Sequence, residues 1–90
     1  MTQKILLESL SMDLLRVALG LHRGSIQMAS RFKEEALKRD YELNSQNLDP
    51  YIKKLLSKTK FLLESNKNAA DDFLMYSTLF QNYAQKIPLS

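Results

Sequence analysis

The sequence has no cysteine and no tryptophan, and its 90 residues include only two glycines, two prolines and one histidine. Without cysteine the chain forms no disulfide, no thiolate metal site and no thiol nucleophile. A single histidine also argues against catalytic zinc, because such sites use several His or Cys ligands. We therefore expect no metal and no cofactor. The lack of cysteine fits a reducing cytosol, so we expect a cytoplasmic protein.

Long apolar runs are missing as well. The first apolar run, residues 5–7, is ended by Glu8, and no small-residue cleavage site follows it, which argues against a secretory signal. No stretch approaches the roughly 20 apolar residues that span a bilayer, so we expect no membrane contact. Ninety residues are the size of one domain. We predict a single all-helical domain over residues 1–90.

Helix-favouring residues dominate the chain, and its apolar residues follow one helical spacing through residues 7–43. Leu, Lys, Ala, Glu and Gln are plentiful, whereas Val, Ile and Thr are sparse, which favours helix throughout. When residues are placed at about 100° around a helix, one side of residues 7–43 is apolar. Its members are Leu7, Leu10, Leu14, Val17, Ala18, Leu21, Met28, Ala29, Phe32, Ala36 and Leu43. The pattern predicts an all-α bundle or hairpin whose first helical region covers residues 2–43.

Gly20 and Gly24 leave two interpretations of this region open. In one, Gly20 follows the end of a first helix and Ser25 caps a new one. In the other, one straight or kinked helix continues through both glycines. The apolar side resumes after Gly24 without a shift of phase, and on that ground we favour the continuous or kinked helix.

Two shorter helices follow. Asp49 is a good N-cap and Pro50 suits the first helical position, so the second helix begins there and ends near residue 65. The third helix, which we expect to be capped by Asn68 after a turn at residues 66–67, ends at Pro88. We expect its aromatic stripe in the core. The stripe consists of Phe73, Tyr76, Phe80 and Tyr83.

The opposite side of the third helix carries no charge, which is unusual for an exposed face. Ser77, Thr78, Gln81, Asn82 and Gln85 lie on this side. Exposed helix faces more often carry charged pairs. We therefore expect part of this side to lie at a semi-buried contact.

A continuous first helix is longer than the two shorter helices can cover. Packed back as a hairpin, they cover about half of it, because a helix extends about 1.5 Å per residue. An apolar patch left exposed in this way usually marks an interface. We therefore predict that dimerisation completes the bundle. The predicted interface residues are Leu7, Leu10, Leu14, Leu15, Ala18, Leu21 and His22.

A basic face on the second helix supports a different function. Lys53, Lys54, Lys58 and Lys60 share its polar side, and Phe61 projects between Lys54 and Lys58. Lysines can contact phosphates and an aromatic ring can stack on a base, so this patch is a candidate nucleic-acid surface. The cluster has no arginine and the net charge is only +3, and we therefore favour a solvated face over nucleic-acid binding.

His22 is the only classical acid–base residue. A lone helical histidine in a bundle resembles the phosphoryl-accepting histidine of histidine phosphotransfer domains. Those domains typically carry a lysine and then a glycine three and four residues after the histidine, whereas this chain has Ser25 and Ile26 there. His22 flanks the apolar side, so we interpret it as a packed or interface residue.

The sequence contains no catalytic constellation. Its carboxylate pairs, at residues 34–35 and 71–72, are adjacent in sequence, so their side chains diverge on a helix. It has neither a phosphate-cradling glycine loop nor a nucleophile elbow. We predict a non-enzymatic helical protein–protein interaction module that forms a homodimer. The alternative is a small nucleic-acid-associated regulator that uses residues 53–60, and the third option is a phosphotransfer-like signalling protein that uses His22.

Overall fold

Four helices form an up-down-up-down bundle in the computed structural model, which describes residues 2–65 and 69–88. The helices are α1 (Gln3–Arg23), α2 (Ile26–Asn44), α3 (Pro50–Glu64) and α4 (Ala70–Gln85). α1 packs closely against α2 and α4, while α3 lies diagonally across from α1 and contacts α2 and α4. The all-α bundle predicted from the sequence is confirmed. The turn and cap expected at residues 66–68 lie outside the described residues.

The helix is interrupted between α1 and α2. The interpretation with two helices is therefore right, and the continuous or kinked helix that we favoured is wrong. Gly24 adopts a left-handed conformation with φ 74°, and its N–H donates to the carbonyl of Leu21 at 3.2 Å. Ser25 then caps α2, because its hydroxyl accepts from the Met28 N–H at 3.3 Å. Two helices that face the same core can keep their apolar sides in phase. Phase continuity therefore cannot distinguish a hairpin from one long helix.

Gly20 lies inside α1 and lets the two helices of the hairpin approach closely. A Cβ atom built on Gly20 would lie 2.8 Å from the backbone nitrogen of Ala29. Asp13 and Ala36 are each one heptad farther from the turn, on the same sides of their helices, and both are buried. The side of α1 that faces α2 therefore places a glycine and an aspartate where a helix seam usually has apolar side chains.

The contact between α1 and α4 includes a pair of buried serines joined by reciprocal hydrogen bonds. The Ser11 hydroxyl donates to the Ser77 carbonyl and the Ser77 hydroxyl donates to the Ser11 carbonyl, both at 2.8 Å. Near the end of α4, the Lys4 ammonium donates to the carbonyl of Ala84 at 2.7 Å. Ser77 belongs to the uncharged side of α4, where we expected a semi-buried contact. That expectation is confirmed at this residue.

The core contains the leucines that were predicted to be an interface. Leu7, Leu10 and Leu14 are each 0% exposed in the single chain, beside Phe73 and Phe80, which are also fully buried. The prediction that these leucines lie at a dimer surface is wrong. It assumed a continuous first helix, whereas α2 folds back along α1 and completes the bundle within one chain.

Candidate interaction surface

An apolar stripe lies on the side of α1 that points away from the core. Ile5, Met12 and Leu19 are spaced by seven residues, so they share one side of the helix. They are 45%, 40% and 37% exposed. Glu8 and Arg16 lie between them on the same outward side. We call Ile5, Met12 and Leu19 the outer stripe of α1.

The surface continues onto α4 without a large change in polarity. Leu74 is 48% exposed and borders a small apolar cleft of about 170 Å³ together with Leu15, Leu19 and Ala18. Farther along α4, Thr78, Gln81 and Gln85 are exposed and uncharged. The outer stripe and this flank form the least charged side of α1 and α4, which is typical of a protein contact surface.

The predicted interface residues divide into three groups. Leu7, Leu10 and Leu14 are in the core, as described above, so these three are not available to a partner, and Ala18, which is 6% exposed beside the apolar cleft, offers a partner little surface. Leu21 is partly buried and packs against the core. Only Leu15, which is half-buried, and His22, which is exposed, reach the surface beside the outer stripe.

His22 is exposed, so it is not packed in the core, and its expected place at an interface stays a prediction. It lies two residues before the Gly24 turn and borders the apolar cleft opposite Asp71 of α4. Asp71 and Asp72 are the acidic residues in the first turn of α4. His22 therefore meets the accessibility requirement of a phosphoacceptor but lies beside acidic groups, which repel a phosphate.

Asp13 occupies a cleft between α1 and α2, next to the outer stripe. Its side chain is 9% exposed, Arg16 lies 4.0 Å from Oδ1, and Oδ2 is buried without a hydrogen-bond partner in the described structure. Burial raises the pKa of Asp13, and the positive charges of Arg39 and Arg16 only partly oppose this effect. The cleft measures about 290 Å³ and is also lined by Glu8 and Met12.

A second buried carboxylate, Asp40, lines a groove of about 590 Å³ between α2 and α3. Asp40 is 1% exposed, and Asn44 Nδ2 donates to its Oδ1 at 2.7 Å. Its Oδ2 is sealed from solvent and has no hydrogen-bond partner among the described residues. Burial raises the pKa of Asp40 to about 6, although Lys60 lowers it. Because the free oxygen is sealed, it offers no atom to a ligand in the groove.

The lysines of α3 are all exposed, but they do not form one positive surface. Lys58 and the 73%-exposed Phe61 line a groove of about 410 Å³ between α3 and α4, which also contains Asp72. Lys60 lies on the other side of α3, in the groove with Asp40 and Glu64. Lys53 and Lys54 are the other two lysines of the patch that the sequence predicted. Carboxylates therefore border this patch on both sides.

We expect the protein not to retard DNA or RNA in a gel-shift assay at low salt, because the lysine patch is interrupted by carboxylates and the net charge is small. The Lys54→Glu, Lys58→Glu variant serves as the comparison. Retardation by the wild type that this variant abolishes, with its helical content unchanged, would contradict the expectation and support the nucleic-acid alternative.

Other classes of site find little support in the geometry. Within residues 2–65 and 69–88, no cluster of three or more His, Asp or Glu side chains could hold a metal ion. In the same ranges no helix combines the length and apolarity that crossing a bilayer requires. Comparisons of the chain with protein-family models, curated proteins and solved structures gave no match.

Sequence reasoning missed the outer stripe, although its signal was present. Ile5, Met12 and Leu19 repeat every seven residues on the side opposite the main apolar phase. The larger set of leucines on the other side of the helix has the stronger signal, and we assigned that set to the dimer interface. Once the leucines are assigned to the core, the outer stripe is the feature of α1 that the fold does not explain.

Proposed function

We propose that this protein is a non-enzymatic helical interaction module that self-associates as a homodimer through the outer stripe of α1. The observation that carries the proposal is the exposure of three apolar side chains in one line on the outward side of α1. A helix that packs on its bundle through only one side ordinarily presents polar and charged groups to solvent. The homodimeric interaction module predicted from the sequence is thus retained, but its contact surface is the outer stripe instead of the surface predicted around Leu7, Leu10 and Leu14.

The charge distribution supports this surface over the others. α2 and α3 carry most of the charged residues, and the grooves beside α3 contain groups of both signs. Between the three apolar side chains of the outer stripe, the charged residues are Glu8 and Arg16, and α4 after its first turn contributes Leu74 and uncharged polar residues. Glu8 and Arg16 have opposite charges, so a protein partner that buries this side does not bury an unbalanced charge there, which favours association.

Sedimentation velocity over a concentration series tests the proposal, with Leu19→Lys as the disrupting variant. We expect a concentration-dependent dimer for the wild type and a dimer dissociation constant at least about tenfold higher for Leu19→Lys, because a buried unpaired ammonium is costly. Tyr41→Lys is the matched control, since Tyr41 is 81% exposed on α2, away from the stripe.

A wild type that sediments as a monomer at all accessible concentrations would overturn the proposal, as would equal weakening by both lysine variants. A charge at Leu14 is not a useful test. Leu14 is in the core, so Leu14→Glu reports on folding rather than on assembly.

A further inference from the structure

We infer that the second copy packs its α1 antiparallel against α1 of the first, with the two Met12 residues opposite each other on the dimer axis. This inference rests on the proposed homodimer and specifies its geometry. It follows from the outward side of α1 between Ile5 and Leu19, where the apolar residues and the pair Glu8 and Arg16 are placed symmetrically about Met12.

The apolar residues are self-complementary in this arrangement. Ile5 and Leu19 lie seven residues before and after Met12. When two α1 helices run in opposite directions with Met12 opposite Met12, Ile5 of each copy therefore faces Leu19 of the other. The three apolar positions are matched along about 21 Å of helix, at about 1.5 Å per residue. A two-fold axis requires such a self-complementary patch.

The charges within the stripe agree with the same register. Glu8 lies four residues before Met12 and Arg16 four residues after it, so each Glu8 faces Arg16 of the other copy. The dimer thus gains two carboxylate–guanidinium contacts related by symmetry. A parallel arrangement in register would instead place Glu8 against Glu8 and Arg16 against Arg16, and like charges at close range are unfavourable. The charge order therefore selects the antiparallel arrangement.

Arg16 is placed to accept a second carboxylate. Its guanidinium lies 4.0 Å from Asp13 Oδ1 and 5.2 Å from the centre of the Phe32 ring, and its side chain is 43% exposed. These contacts hold the guanidinium at the edge of the cleft that also contains Arg39. Arg16 and Arg39 share this cleft with the carboxylates of Asp13 and Glu8. The exposed part of the Arg16 guanidinium is thus the part that a carboxylate of the second copy can contact.

The bundle geometry gives α1 room for such a partner. α1 is a corner helix, with α2 and α4 packed against it and α3 on the opposite corner. The close approach of Gly20 to Ala29 draws α2 toward α1 on one side, and the Ser11–Ser77 contact draws α4 toward α1 on the other. The outer stripe thus lies on the side of α1 that faces away from both neighbouring helices. A second α1 can reach it at the usual interhelical distance of about 8–10 Å.

Cysteine cross-linking tests the register, because the natural chain has no cysteine and each introduced thiol is unique. Under mild oxidation we expect Met12→Cys to form a disulfide-linked dimer, since its two copies face each other across the axis. Ile5→Cys alone should not cross-link, because two Ile5 positions lie about 21 Å apart along the helix axis and a disulfide needs Cα atoms within about 7 Å. A mixture of Ile5→Cys and Leu19→Cys should give mainly the mixed dimer.

Sedimentation of each reduced variant accompanies the cross-linking, so that failure of the register is distinguished from failure of the dimer. Self-linking of Ile5→Cys in a sedimenting dimer would show a parallel arrangement. A sedimenting dimer in which Met12→Cys does not link would show a different surface. Either result overturns the register and leaves the homodimer standing, whereas a monomeric wild type overturns both.

Discussion

Replacing Asp40 by asparagine is expected to stabilise the protein at pH 7.5 by about 1–3 kcal/mol. The pKa of Asp40 is about 6 in the folded protein and close to its ordinary value of 3.8 in the unfolded chain. One pKa unit corresponds to about 1.4 kcal/mol, so the ionised form costs the fold about 3 kcal/mol at most. The asparagine removes that cost and keeps the oxygen that accepts from Asn44.

The sign of the pH dependence follows from the raised pKa. Between pH 3.8 and 6 the folded protein binds a proton at Asp40 that the unfolded chain releases, so protonation favours the folded state. The cost of Asp40 is therefore fully present above about pH 7 and is relieved as the pH falls toward 4. The difference in unfolding free energy between Asp40→Asn and the wild type should shrink over the same window.

Urea unfolding at pH 4.5, 6.0 and 7.5 measures both effects, with Glu34→Gln as the control. Glu34 is an exposed carboxylate on the same helix, so its neutralisation should change the stability little. A stability difference between Asp40→Asn and the wild type that does not vary with pH would show that Asp40 does not titrate as described. An Asp40→Asn variant less stable than the wild type at pH 7.5 would show that the carboxylate has a partner in solution.

The second large effect is expected at Gly20, where alanine should destabilise the bundle by about 1–3 kcal/mol. Alanine in a helix interior is ordinarily more favourable than glycine by about 1 kcal/mol. Here the added Cβ meets the backbone nitrogen of Ala29 at 2.8 Å, and backbone cannot move aside as a flexible side chain can. The steric cost therefore outweighs the helix propensity and reverses the usual sign.

Gly24→Ala and the Gly20→Ala, Ala29→Gly double variant are the controls in thermal and urea unfolding. Nothing lies within 4 Å of a Cβ at Gly24, so the cost there is that of a left-handed alanine, about 1–2 kcal/mol. The double variant removes the Ala29 side chain but leaves its backbone nitrogen, and it should not recover the wild-type stability. Full recovery, or a Gly20→Ala variant more stable than the wild type, would contradict the backbone clash.

The sequence predicted the helical class and the start of α3 because these depend on local chemistry. Asp49 Oδ1 accepts from the Tyr51 N–H at 2.8 Å and Pro50 occupies the first turn, as the pattern indicated. The sequence also indicated Ser25 as an N-cap, but only in the interpretation with two helices, which we did not favour. Gly20 was assigned to a helix end there, whereas its role is to let α2 approach α1, and that role depends on a residue nine positions later.

The outer stripe of α1 could be identified as a candidate interaction surface only after the fold was known. Leu14 and Met12 are both apolar residues of one helix, and their spacing alone does not show which side of α1 is covered. The buried state of Asp13 and Asp40 was not predicted because carboxylates ordinarily face water. Their burial is set by where α2 lies against α1 and α3, which is tertiary rather than local information.

The Ser11–Ser77 contact has a consequence for synthesis of the chain on the ribosome, because it joins residues 66 positions apart. The α1–α2 hairpin can form as soon as Asn44 has emerged, but the other packed side of α1 waits for α4. At roughly 5–20 residues per second, about 40 further residues take about 2–8 s to be made. During that interval the nascent chain displays the leucine surface that the folded protein conceals, and chaperones that bind exposed apolar segments then have access to it.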